Sequence, residues 1–192
     1  RNFYVDQIVN PKKTKETFTI DYYKMKYGQR PDQWNTPQFK KWFGDSKVVD
    51  EAGKPLVVYH TTGEKFNVFD TQRGKSTTKN ITGVFGSYFT PSKGEANRYS
   101  EIFHGKGGQI MPVYLSLKNP YMMSRVEWDK FATQVLEKKA TQIEGEANAR
   151  KFKEQLQKEG YDGIVISYRG FNNEYVAFKP EQIKSATGNV GA

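Results

Sequence analysis

Short apolar runs broken by polar turns dominate the middle of the chain. Lys47-Val48-Val49-Asp50 and Pro55-Leu56-Val57-Val58-Tyr59-His60 flank Glu51-Ala52-Gly53-Lys54, a pattern that predicts a β-hairpin. Ahead of it, Thr36 can cap a helix with Pro37 at its first position, running through Phe39, Trp42 and Phe43 to a stop at Gly44. Residues 70–84 are rich in Gly, Ser, Thr and Lys and read as a loop. A short strand over 85–90 follows, then a helix from Ser92 to Ser100 capped by Ser92. Gln109 to Leu117 alternates as a strand and is closed by Lys118-Asn119-Pro120. Helical spacing returns over 125–139 (Val126, Phe131, Val135, Leu136) and 146–158 (Ala149, Phe152, Leu156), with Gly160 as the stop. Gly163 to Ser167 and Glu174 to Phe178 are the final strands expected. Helices grouped between strands favour an α+β fold over alternating βαβ units. Residues 1–33 carry weak periodicity and the breakers Pro11, Gly28 and Pro31, so an N-terminal extension over 1–35 and one domain over 36–192 are expected.

Composition narrows the chemistry. The chain has no cysteine, which removes disulfides and thiol nucleophiles, and only two histidines, His60 and His104, so no metal site is expected. No apolar run approaches the roughly twenty residues of a membrane helix, and the first residues lack a signal-peptide pattern. Because the chain opens on Arg1, it is expected to be a piece of a larger protein, one that delivers it into a target cell. Thirteen Phe, twelve Tyr and three Trp make an aromatic-rich chain, and flat rings serve both cores and flat ligands. The net charge of +9 suits an acidic partner, although the lysines are dispersed, at Lys12-Lys13, Lys40-Lys41 and Lys138-Lys139, as in an ordinary soluble surface.

Three strand ends each stop on a polar side chain. They are Val58-Tyr59-His60-Thr61-Thr62, Gly86-Ser87-Tyr88-Phe89-Thr90 and Asn173-Glu174-Tyr175-Val176-Ala177-Phe178. Each has a bland reading: a histidine at a sheet edge, tyrosines in a core, a solvated carboxylate at a strand start. Together, in that order, they resemble the histidine–tyrosine–glutamate constellation of the NAD-dependent ADP-ribosyltransferases of the diphtheria-toxin and poly(ADP-ribose) polymerase branch. The Gly-x-Tyr-Phe segment and a second tyrosine, Tyr99, eleven residues after Tyr88 match that branch in spacing. From about Pro37 onward the chain also resembles the ADP-ribosyltransferase domain of phage and conjugative-element polyvalent proteins. That likeness rests on Phe39-x-x-Trp42-Phe43-Gly44, Tyr114-Leu115-x-Leu117-Lys118-Asn119-Pro120, Tyr161-Asp162-Gly163-Ile164 and Pro180-Glu181-Gln182-Ile183-Lys184-Ser185-Ala186.

The resemblance implies two twisted, packed sheets with flanking helices and a cleft for NAD, the co-substrate. It implies that His60 donates to a ribose hydroxyl of NAD and that the backbone at Thr61 and Thr62 holds the nicotinamide carboxamide. Tyr88 and Tyr99 would sandwich the nicotinamide, and Glu174 would stabilise the oxocarbenium-like state formed as nicotinamide leaves. Two positions depart from the family pattern: Thr61 stands where glycine is usual and Ala96 where serine is common. The arginine-modifying branch uses a Ser-Thr-Ser strand and Glu-x-Glu. Here Ser76-Thr77-Thr78 lies in a lysine-rich loop and Asn172 precedes Glu174 by two, which disfavours arginine as acceptor. The loop 168–173 occupies the family's acceptor contact, with Arg169 and Phe171 as candidates. The implied activity is mono-ADP-ribosyl transfer to a protein or nucleic acid by a monomeric bacterial or phage toxin or effector. An NAD glycohydrolase that spends the cofactor on water, and a silent basic binding module of the same fold, remain the alternatives.

Overall fold

The computed structural model describes residues 33–63, 81–105, 108–136, 142–168 and 173–187. Among the described residues seven strands form two sheets. The first is antiparallel in the order β1 (Val58–Thr62), β3 (Gln109–Leu115), β7 (Ile183–Ser185). The second runs β2 (Ser87–Phe89), β6 (Glu174–Ala177), β5 (Gly163–Ser167), β4 (Pro120–Ser124), antiparallel except for the β4–β5 pair. Four α-helices among the described residues accompany them: α1 (Pro37–Phe43), α2 (Lys93–His104), α3 (Arg125–Leu136) and α4 (Gln142–Lys158).

The burial pattern makes this a four-layer stack. Phe89, Val165, Tyr175 and Ala177 on one face of the second sheet meet Val58, Val113 and Leu115 of the first. The other face of the second sheet, with Ile164, Ile166 and Val176, packs on Trp128, Ala149 and Leu156 of α3 and α4. The outer face of the first sheet, with Tyr59 and Tyr114, is covered by Phe39 and Phe43 of α1 and Ala96 of α2. β5, Gly-Ile-Val-Ile-Ser, is apolar without alternation because it is buried on both sides. The arrangement is the expected α+β fold of two packed sheets with flanking helices.

Local signals set most boundaries. Thr36 Oγ1 accepts from the Phe39 N–H at 3.1 Å to open α1, and Ser92 Oγ accepts from the Glu95 N–H at 3.2 Å to open α2. α2 runs past Ser100 to His104, where Gly105 closes it. The hairpin at 47–60 is a short ladder, with one bridge between Val49 and Pro55, and the strand proper begins only at Val58. Two strands were unforeseen. Pro120 begins β4 rather than only closing β3; at the sheet's edge its missing N–H costs no ladder bond. β7, three residues long, follows the strand expected to be last.

Residues 1–32, nearly all of the expected N-terminal extension, lie outside the described residues. So do most of loop 70–84, with Ser76-Thr77-Thr78, and both Arg169 and Phe171. Gln33 is buried and its side-chain amide donates to the Ser185 carbonyl at 3.0 Å, and Trp34 packs against the cluster that holds Phe39 and Tyr59. Among the described residues no helix is long and apolar enough to cross a membrane.

Candidate active site

The two sheets touch along β1 and β2 and then part. Tyr59 and Thr90 exchange both backbone hydrogen bonds, N–H to carbonyl at 2.8 and 3.1 Å. In an antiparallel ladder the next such pair would be Thr61 and Tyr88. At that level the His60 ring intervenes: its Nδ1 lies 2.9 Å from the Tyr88 carbonyl oxygen. A carbonyl only accepts, so Nδ1 carries the proton and donates. The alternation of the ladder turns the N–H and C=O of Thr61 to the same side as those of Tyr59, into the opening between β1 and β2. Thr62 is buried one residue further on.

The same bond fixes the ring's chemistry. Burial lowers the His60 pKa below its ordinary value of 6.5, against the Tyr88 carbonyl, which raises it, and with a small further lowering from His104. A neutral ring with its proton on Nδ1 presents Nε2 as an acceptor. An Nε2 lone pair accepts from a hydroxyl rather than donating to it. Phe89 flanks the imidazole, with ring centroids 5.3 Å apart.

Gly86 explains the start of the Gly-x-Tyr-Phe segment. Its φ is +149°, and a Cβ there would stand 2.0 Å from the Ala177 carbonyl oxygen of β6. Only a residue without a side chain lets β2 approach β6 this closely. Tyr88 then pairs with Val176, and its ring leans edge-on against Trp128 of α3 at 6.2 Å.

Glu174, two residues before Val176, lies on the same face of β6 as Val176 and thus on the face carrying Tyr88. Its side chain is 16% exposed. Two phenols from different elements hold it. The Tyr99 hydroxyl, from α2, donates to Oε1 at 3.2 Å, and the Tyr168 hydroxyl, just past β5, donates to Oε2 at 2.7 Å. Burial first, and then Glu174 through its charge and hydrogen bond, raises the pKa of both phenols, which favours their protonated, donating form. Arg125, the first residue of α3, donates through Nη1 to the Tyr168 oxygen and stands 3.9 Å from Glu174 Oε2. Its Nε is paired with Asp129 at 2.7 Å.

His60, Thr61, Thr62, Tyr88, Tyr99 and Glu174 therefore gather around the junction of the sheets. The Tyr99 ring stacks on Phe103 at 6.1 Å, with the Arg98 guanidinium 5.4 Å from its centre. Sequence reasoning missed Tyr168 and Arg125. Tyr168 was within reach, since it follows the strand antiparallel to β6 at the end where Glu174 sits; no sequence signal marks Arg125.

The model of the family described as ADP-ribosyltransferase in polyvalent proteins matches residues 50–192, most of the chain and every element just described except α1. The chain belongs to this family. The transferase moves ADP-ribose, and NAD is the substrate its family uses. No curated protein and no solved structure gave a significant match.

Proposed function

We propose that this ADP-ribosyltransferase attaches a single ADP-ribose to a macromolecular acceptor, with Glu174 as the catalytic carboxylate of a histidine–tyrosine–glutamate site. The observation that carries the reading is the Glu174 carboxylate, nearly enclosed and held by a hydrogen bond on each oxygen beside the gap between β1 and β2. NAD would lie along that gap. His60 Nε2 would accept from a ribose hydroxyl, and the Thr61 backbone, turned into the gap, would pair with the nicotinamide carboxamide. Tyr88 and Tyr99 would flank the nicotinamide ring, whose positive charge suits aromatic faces. Thr61 supplies the same backbone groups as a glycine would, with a Cβ beside them that restricts close approach.

The chemistry follows from the carboxylate. The bond between nicotinamide and the ribose C1″ breaks with its electron pair going to the ring nitrogen, and positive charge develops on the sugar. A fixed anion beside the ribose hydroxyls stabilises that charge without reorganising. The acceptor then forms its bond to C1″ and gives up a proton, which Glu174 can take. The acceptor is read as acidic, a protein surface or nucleic acid, on the strength of the +9 charge, and Arg169 and Phe171 in the loop before Glu174 are proposed to contact it. A role as a phage or bacterial effector, acting as a monomer, is proposed with it. Residues 36–192 are proposed as the catalytic unit and 1–35 as its appendage.

The test is nicotinamide release and transfer of tagged ADP-ribose by the purified chain, alongside Glu174→Gln. The variant should bind NAD within a few fold of the parent and release nicotinamide at least about a hundredfold more slowly, the scale for losing a preorganised charge. Near-normal turnover would remove Glu174 from the mechanism. Release without any labelled acceptor would make the protein a glycohydrolase, and neither release nor labelling a binding module.

A further inference from the structure

The environment of Glu174 contains more than the resemblance requires. Tyr168 sits one residue past β5, and Arg125 one residue past β4. These strands run parallel with Ser124 opposite Ser167, so the two side chains emerge side by side at the same sheet end. The Arg125 guanidinium lies 5.1 Å from the centre of the Tyr168 ring, and its Nη1 donates to the phenol oxygen.

That donation settles where the phenol's proton goes. A guanidinium has donors only, so it occupies a lone pair of the Tyr168 oxygen and leaves the one O–H to point elsewhere. It points to Glu174 Oε2 at 2.7 Å. Donation into the oxygen also polarises the O–H, strengthening the bond it makes. Each carboxylate oxygen can accept about two hydrogen bonds, so one phenol on each leaves room for a ribose hydroxyl. Arg125 brings a cation near the carboxylate, which by itself would weaken the field on the developing oxocarbenium. Asp129, bound to its Nε at 2.7 Å, offsets that charge, and the Asp129–Arg125–Glu174 group keeps a net charge of minus one.

We propose that Tyr168 is a positioning residue for Glu174, and that Arg125, braced by Asp129, acts through Tyr168 by aiming its hydroxyl. This rests on Glu174 being the catalytic carboxylate. The substitution Tyr168→Phe keeps the ring under the guanidinium and removes only the oxygen. It should lower kcat for nicotinamide release about tenfold or more, the effect of losing a hydrogen bond to a charged group, while KM for NAD changes less than about threefold and Tm stays within a few degrees. Arg125→Met should lower kcat in the same direction, Arg125→Lys should restore part of it, and the Tyr168→Phe/Arg125→Met pair should be no slower than Tyr168→Phe alone. A merely structural contact would lower Tm and leave kcat per folded molecule unchanged. Unchanged kcat in Tyr168→Phe overturns the proposal, as does an additive double variant for the part played by Arg125. Glu174→Gln assayed in parallel separates the two readings. If it is inactive while Tyr168→Phe is normal, the relay fails and the catalytic assignment stands; if it is active, the assignment itself fails.

Discussion

Gly86→Ala offers the sharpest test of how the fold makes the site. The added methyl would lie 2.0 Å from the Ala177 carbonyl oxygen and 2.9 Å from its carbon, against an ordinary contact of 3.4 Å or more. β2 would have to retreat from β6 by more than 1 Å, because the obstacle is backbone and no rotamer relieves it. A φ of +149° adds strain of about 1–3 kcal/mol for a residue with a Cβ, and the forced repacking costs a similar amount. A loss of about 3 kcal/mol corresponds to a Tm roughly 6–12 °C lower in a protein of this size. Gly53→Ala is the control: its φ is +72° but nothing lies within 4 Å of the new Cβ, so only about 1–2 kcal/mol of local backbone cost is expected. The consequence reaches the chemistry because Tyr88, two residues on, supplies the carbonyl that holds His60 at 2.9 Å. Thermal melts should rank parent, Gly53→Ala and Gly86→Ala in falling order. Nicotinamide release, measured where all three are folded, should be normal in Gly53→Ala and impaired in Gly86→Ala. A Gly86→Ala protein with parental Tm and activity would refute the close approach of β2 and β6.

Two further outcomes are expected. Since the folded-state pKa of His60 lies below 6.5, the unfolded chain takes up that proton first; the stability this ring contributes is full above pH about 6.5 and falls as pH drops through the lowered folded value, and equilibrium urea unfolding against pH should show that slope vanish in His60→Gln. Labelling of the true acceptor should fall steeply between low and physiological salt while basal NAD cleavage hardly changes, because the attraction of a dispersed +9 charge is screened over about 8–10 Å and a preformed cleft is not; salt-insensitive labelling would assign the charge to solubility alone.

The parts of this fold that were legible in the sequence are those in which one segment announces its own environment. β5 is a continuous apolar run because it is central, and α1 begins at Thr36-Pro37 because cap and proline are local devices. Of the three expected strand ends only Glu174, which opens β6, stands at one; His60 and Tyr88 lie mid-strand in β1 and β2, because pairing with β3 and β6 carries each strand past its polar residue. What stayed hidden depends on pairing. β7 is three residues with no buried face of its own, held by its register with Val113, Tyr114 and Leu115. The last turn of α2 escaped because Ile102 and Phe103 are 63% and 54% exposed and give no core-facing stripe beyond Ser100. Arg125 and Tyr168, 43 positions apart, become neighbours only through the parallel β4–β5 register.

The same distinction separates two kinds of residue at the site. His60, Thr61 and Tyr88 are placed by backbone: where β1 leaves β2, a ladder bond that Thr61 would have made to Tyr88 is replaced by the His60 ring, and the N–H and C=O of Thr61 are left facing the gap. A strand that diverges from its neighbour thereby leaves both an opening and polar backbone groups to line it. Glu174 is placed instead by side chains. It opens β6, where the ladder with Ile166 is the last pair, and a carboxylate at a strand's first residue swings freely unless something holds it. Tyr99 and Tyr168 supply that restraint from either side, one from a helix on the first sheet and one from the end of the second. The carboxylate is thus tied to both sheets at once. A motion that parted α2 from the end of β5 would break one of its two hydrogen bonds, so on the role proposed for Glu174 the placing of the carboxylate and the spacing of the two sheets would be coupled.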